Sequence, residues 1–443
     1  MSQLVINIPG EARVDAIERV FYEQFNSFDG QIKEVILDFR SVWFIEPSTS
    51  TTYIIAMLYM CKEKGYSFKI IPPGNNGVKI ILYTWRFFEV LEEVTSCKIS
   101  EFAPTLENDF KKGKSINVRL SSAINRNLKY YTDVDSLDIQ GYFKKKYLGQ
   151  DGICFLTLNE KFFPLLSLNF DSPESKQQEF LNEKIRWRNA ELINRILSNN
   201  LTNLEIKDEI ADNVICETIS NAIIHSTACK FFTGSYFQFT EPNANKDTTY
   251  HFTINFWDSG KSIIETLKLP LINKKSIISV KTKNDFLSKH NEIEFFIKYE
   301  DKKYIEESFK SSFSELDPDD DERILLAAFF PGVSCSPYRE PDIFNQIPAG
   351  IGLSYLTNTV VKNLKGEIAI RTKKYFLNIR QLTGYDKDQY IAQRKTTDTK
   401  KPKRKEIFSD KTTYYSAKFQ IFNNQMPEFI GNMITIRIPL KYR

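Results

Sequence analysis

The stretch ETISNAIIHS, residues 217–226, constrains this chain more than any other. Glu217, Asn221 and His225 recur every four residues. In a helix of about 3.6 residues per turn such positions drift only about 40° per step, so all three share one face. Ile210, Val214, Ile215, Ile219, Ala222 and Ile223 fill much of the remaining circumference. The spacing therefore predicts a largely buried helix with a carboxylate, an amide and an imidazole on one stripe. Burying such groups costs free energy unless something satisfies them. Either the stripe is the polar face of an ordinary amphipathic helix, with His225 a positive group near its C-terminal end, or a bound metal and phosphate satisfy it.

Two stretches further along favour the second reading. In YHFTINFWDSGKSI, residues 250–263, an alternating apolar strand leads straight into Asp258 and Gly260. A carboxylate at a strand end can accept a hydrogen bond from an adenine amino group, and a glycine beside it lets the base approach the backbone. In PAGIGLSYL, residues 348–356, Gly350 and Gly352 precede a helical run. Glycines opening a helix expose backbone N–H groups at its positive end, where phosphates bind.

Taken in order, ExxxN at 217–221, DxG at 258–260, GxGL at 350–353 and the closing strand GNMITIRIPL at 431–440 resemble the Bergerat-fold (GHKL) ATP-binding domain of gyrase, histidine kinases and MutL. ETISNAIIHS is especially similar to the form found in bacterial anti-sigma-factor serine kinases. The resemblance covers residues 173–443 and implies an α/β sandwich, a mixed sheet covered by helices, with a long lid insertion. It further implies ATP and Mg²⁺ as cofactors. Asn221 would coordinate the Mg²⁺ between the phosphates, Glu217 would activate a water or an acceptor hydroxyl, and His225 would line the phosphate side. Asp258 would read adenine beside Gly260, while Gly350 and Gly352 would shape the hinge of the lid. Ser262 stands where the family carries a second glycine. About 90 residues separate Asp258 from Gly350, too many for a plain loop, and NEIEFFIKYEDKKYIEESF within them is periodic. The acidic run ELDPDDDERILLAAFF reads as a helix start with carboxylates at the positive end of the dipole. It lacks the glycine and closing glutamate of a calcium loop.

The N-terminal segment, 1–95, reads as a compact α/β unit. LVINI, EVILDF and SFKII are its strands, and VDAIERVFYEQF and TTYIIAMLYMCKEKG its helices, the latter ending at Gly65. VILDFRSVWFIEPSTSTTYIIAML is similar to STAS domains, the fold of anti-sigma-factor antagonists, with EPST at 46–49 in the place of their DSSG turn. The resemblance puts Ser48 where that family is phosphorylated, at a helix N-terminus. Alternatively Pro47 simply starts the helix and the surrounding Ser and Thr residues cap it. Residues 96–171 form a connector or small subdomain, and 172–443 begin where Ser172 can cap a helix with Pro173 in its first turn.

Composition closes off other classes. The chain has 443 residues, 42% of them hydrophobic, which supports more than one core. Its formal charge is only +4. The basic cluster TKKPKRKE at 399–406 has no interleaved aromatics, so nucleic-acid binding is disfavoured. Six scattered cysteines without a CxxC pair read as reduced thiols. No apolar run reaches the roughly 18 residues of a membrane span, and the expectation is a cytoplasmic protein without membrane contact.

Of three function classes, a structural scaffold with a degenerate pocket is disfavoured by the retained Glu217, Asn221, Asp258 and Gly352, and two remain open. One is an enzyme that hydrolyses ATP or transfers its phosphate to a protein hydroxyl, with Glu217 as base. The other is a nucleotide-gated interaction switch with little or no catalysis. A histidine kinase is disfavoured because His251 sits inside a strand and His290 lacks a surrounding helical hairpin. Besides ATP, the implied partner is another protein, or a contact within the chain between the STAS-like and ATPase-like parts.

Overall fold

In the computed structural model of the chain the residues described are 3–105 except 48, 76, 77, 80, 83 and 84; the segments 162–169, 230–240, 249–272, 352–381, 406–409, 414–421 and 428–441; and single positions within 214–218 and 318–329.

Parallel strands need crossover helices, and the N-terminal segment supplies them. β1 (Gln3–Asn7), β3 (Glu34–Asp38) and β5 (Ser67–Ile71) pair in parallel in the order β1-β3-β5. α1 (Val14–Ser27) and α2 (Thr49–Glu63) connect them, and β2 (Glu11–Ala12) and β4 (Phe44–Ile45) form a separate short pair. These elements match the reading of the sequence. α1 buries one stripe, Ile17, Phe21 and Phe25. α2 ends in a left-handed Gly65 (φ +81°), whose N–H donates to the Lys62 carbonyl while Tyr66 N–H donates to that of Cys61. That pattern satisfies the last helix carbonyls, and glycine adopts the positive φ without strain.

α2 is buried continuously from Ser50 to Cys61. A helix with no exposed face needs cover on both sides, and its own three-stranded sheet provides only one.

The second cover is an eight-stranded sheet: β6 (Phe162–Asn169), β7 (Lys230–Thr240), β8 (Thr249–Asp258), β9 (Glu367–Lys373), β10 (Tyr375–Gln381), β11 (Glu406–Ser409), β12 (Tyr414–Ile421) and β13 (Phe429–Lys441). Its order is β11-β12-β10-β9-β13-β8-β7-β6. The expectation of a mixed sheet is corrected here, since every described pairing is antiparallel. Strands adjacent in sequence, β7 with β8 and β9 with β10, pair directly, which antiparallel geometry permits without a crossover helix.

Alternation along these strands sorts the side chains onto two faces. Register aligns Phe232, Trp257, Met433 and Arg371 in one row across β7, β8, β13 and β9. α2 lies against this row. Tyr59 meets Trp257 edge-on at 5.2 Å, Tyr53 stacks on Phe429 at 6.2 Å, and the N–H of Ile430 donates to the Met60 sulfur. Lys230 sits 5.3 Å over the Tyr59 ring and donates to the Val94 carbonyl in α3 (Phe87–Thr95). One hydrophobic cluster therefore runs from the N-terminal core to Phe232, Trp257, Phe429 and Met433. The segment 96–171 contributes to both units at its ends. Phe102, in α4 (Ile99–Phe102), packs on Phe68 at 5.4 Å, and β6 adds an edge strand beside β7.

A buried ion pair crosses the same interface. Arg371 Nε lies 2.6 Å from Glu18 Oε1 on α1, each residue about 3% exposed, and Tyr53 donates to the same oxygen. Burial pushes the Glu18 carboxyl up, and Arg371 opposes it. Removing one partner of such a pair leaves an uncompensated buried charge, at a cost of about 3–5 kcal/mol, whereas replacing both with apolar groups is often neutral. Arg371→Met alone is expected to destabilise the protein by that order, and Glu18→Leu with Arg371→Met to recover most of it, measured by denaturant unfolding.

In α3, Glu89 Oε2 is enclosed without a hydrogen-bond partner, and burial raises that carboxyl from 4.5 to about 7. A folded pKa above the unfolded one contributes stability that is complete below pH 4.5 and lost as pH rises through 7. Glu89→Gln, which mimics the neutral acid, is expected to match wild type at pH 4.5 and exceed it by about 3 kcal/mol above pH 8, as read by melting temperature against pH.

Candidate functional site

Asp258 is the last residue of β8 and lies on the face opposite Trp257. It is 4% exposed. Gly260 N–H donates to its Oδ1 at 3.0 Å, closing a tight turn over the strand end. Asn432 on β13, paired with Asp258 in register, points its Nδ2 at both carboxylate oxygens, at 3.4 and 3.2 Å, and at the Lys261 carbonyl at 3.1 Å. Asn432 Oδ1 accepts from Ile263 N–H at 2.9 Å and lies 2.9 Å from the Thr372 hydroxyl on β9. One amide thus holds the carboxylate and the chain that follows it. Ser259 fixes the other side of the turn, accepting from Lys230 N–H through its hydroxyl and donating its own N–H to the Lys230 carbonyl, both at 3.0 Å.

This close approach needs Gly431. Its φ is +74°, and a Cβ there would run into the Asp258 carbonyl. The residue lies at the register shift between β13 and β9, where a bulge turns Asn432 inward.

Ser262 has a local role. Its hydroxyl accepts from Glu265 N–H at 3.1 Å while its N–H donates to Glu265 Oε2 at 2.9 Å. That reciprocal capping box starts α5 (Ile263–Ile272). The serine in place of a glycine is thus a helix cap, and its hydroxyl is committed to the Glu265 side of the turn. Glu265 also pairs with Lys373 Nζ at 3.2 Å.

Asp258 and Gly260 come together in one turn, while Gly352 opens its own helix, α6 (Gly352–Thr357), which continues into a wider turn over Asn358–Asn363. Glu217, Asn221, His225, Gly350 and Ser48 lie outside the described residues. Thr218 is buried and helical, with its hydroxyl donating to the Val214 carbonyl four residues back. α2 begins at Thr49, the last residue of EPST.

The roles of four contributors were not read from the sequence. Ser262 and Glu265 could have been, from their S-x-x-E spacing before an apolar run. Asn432 and Thr372 could not, because their role exists only through strand register. Together these groups form a buried, pre-set acceptor. Its carboxylate, with about four acceptor positions, is aimed by the Asn432 amide and the Gly260 N–H.

No family model matches the chain, no curated protein matches it, and no solved structure matches it. Among the described residues no group of His, Cys, Asp and Glu could hold a metal ion, and no helix is long and apolar enough to cross a membrane.

Burial acts to raise the Glu265 carboxyl, but the bonds from Ser262 and Lys373 outweigh it and hold the group below 4.5. A depressed folded pKa contributes stability above 4.5 that is lost as pH falls through the lower value. Ser262→Ala is therefore expected to cost about 1 kcal/mol at pH 7, the usual worth of an N-cap, and less as the pH is lowered toward 3 and Glu265 takes up its proton. Thermal unfolding of both proteins across that range checks it.

Proposed function

We propose that the chain is a Mg²⁺-dependent ATP-binding regulatory protein, with residues 172–443 as the nucleotide domain and 1–95 as a STAS-like regulatory part. The observation that carries this reading is Asp258: a buried carboxylate at a strand end, aimed by Asn432, with the Gly260 turn beside it. That arrangement suits an adenine amino group. The ordered ExxxN, DxG and GxGL stretches supply the rest of the reading. Asn221 holds the metal, Glu217 takes a proton from a water or a protein hydroxyl, His225 lines the phosphate side, and Gly350 and Gly352 form the hinge of the lid. Mg²⁺, when bound, neutralises phosphate charge. The chemistry is hydrolysis or phosphoryl transfer to a protein hydroxyl.

A nucleotide-gated switch with little turnover is the second reading. It is favoured by Ser262, whose hydroxyl caps α5 where the related sites have a glycine that lets the loop follow the nucleotide.

Calorimetry on the full chain is expected to detect Mg²⁺-dependent ATP binding, and absence of binding at millimolar ATP would remove the proposal. Asp258→Asn is expected to weaken ATP binding by about tenfold or more, the loss of one charged hydrogen bond. Glu217→Ala is expected to bind normally and to turn over about a hundredfold more slowly. Labelled ATP, followed by separate assays for free phosphate and phosphoprotein, divides hydrolysis from transfer. Neither product, with binding intact, selects the switch.

A further inference from the structure

Three strands each place two consecutive residues on opposite faces at the same level of the sheet. Asp258, Asn432 and Thr372 form the polar site, and their chain neighbours Trp257, Met433 and Arg371 meet the N-terminal unit. Peptide bonds alone separate the candidate ligand site from the domain contact.

Arg371 extends this link. Its guanidinium is held by Glu18 and stacked 5.1 Å from the Phe429 ring. It also donates to the carbonyls of Lys373 and Tyr375, the two ends of the β9–β10 turn. Lys373 has φ +47°, a left-handed conformation unfavourable for an L-residue with a side chain, so the turn depends on what holds it. From that turn Lys373 Nζ reaches Glu265, and Glu265 accepts from both the N–H and the hydroxyl of Ser262. Ser262 closes the loop that begins at Asp258. A second route runs from Thr372, next to Arg371, through Asn432 to Asp258 and to Ile263 N–H. Both routes start at Arg371 or its neighbour and converge on residues 258–263.

We propose that Glu18, on the N-terminal unit, is a positioning residue for the Asp258 site: it fixes Arg371, and Arg371 fixes the β9–β10 turn that braces the 258–263 loop. The N-terminal unit thereby sets the affinity of a nucleotide site it does not touch, and by linkage a bound nucleotide tightens the docking of α1 and α2. The inference rests on the nucleotide reading only for the identity of the ligand.

The test uses the full chain and two readouts. Glu18→Gln keeps the side-chain size and removes the charge. It is expected to weaken ATP binding by roughly threefold to thirtyfold, the span of coupling through a packed network, well below its melting temperature. It is also expected to speed amide exchange of residues 259–263 without any nucleotide. Lys373→Met interrupts the same route. The double variant is expected to be no weaker than the weaker single one, whereas a merely structural role for Glu18 predicts additive losses or none. If Glu18→Gln does not fold, Glu18→Leu with Arg371→Met removes both charges together and is expected to give the same loss of affinity and the same faster exchange. Normal ATP affinity together with unchanged exchange at 259–263 overturns the inference and leaves the function standing. A wild-type protein that binds no ATP overturns the function, and the exchange readout then decides the positioning role by itself.

Discussion

A helix with no solvent face must be sandwiched, and the rest of this structure follows from that. α2 presents Tyr53, Tyr59 and Met60 to the eight-stranded sheet and the rest of its surface to its own unit. Burial of apolar area is the main favourable term in folding, and here it cannot be completed within the N-terminal unit. The parallel three-stranded sheet is too small to cover α2 on both sides. The antiparallel sheet, for its part, carries Trp257, Phe232 and Met433 on a face that would otherwise be exposed. Each unit supplies the cover the other lacks.

The polar groups of the interface add direction to this burial. An apolar contact tolerates sliding, but the Glu18–Arg371 pair and the Lys230 bond to Val94 fix one register of α1, α2 and α3 on the strands. The row they fix is the row whose opposite side holds Asp258, Asn432 and Thr372. A site assembled from three strand positions depends on those strands keeping their relative height, so what anchors one face defines the other.

Much of the framework was legible in the sequence, because periodicity reports burial. The strand ending at Asp258, the strand that runs on from Gly431, the first two helices and the Gly65 stop all come from local patterns. The parts that were not legible depend on distant partners. Glu18 is a carboxylate set by helical spacing among Val14, Ile17, Phe21 and Phe25 on the buried stripe of α1, and the partner that satisfies it is 353 positions away. Arg371 and Thr372 look like ordinary strand residues until register places them beside Met433 and Asn432. The expected mixed sheet gave way to an antiparallel one because strand direction is set by connections that propensity does not encode. Ser262 was read as a departure from a glycine pattern, although its spacing to Glu265 had already marked it as a cap.

The N-terminal unit and the large sheet share one core. Native-state amide exchange of the full chain under increasing denaturant tests this most directly, since segments of one cooperative unit open with one free energy. The amides of α2, of β8 and of Ile430 on β13 are expected to exchange with a common opening free energy and a common denaturant dependence. An α2 that opens at clearly lower free energy while β8 and β13 stay protected would contradict it.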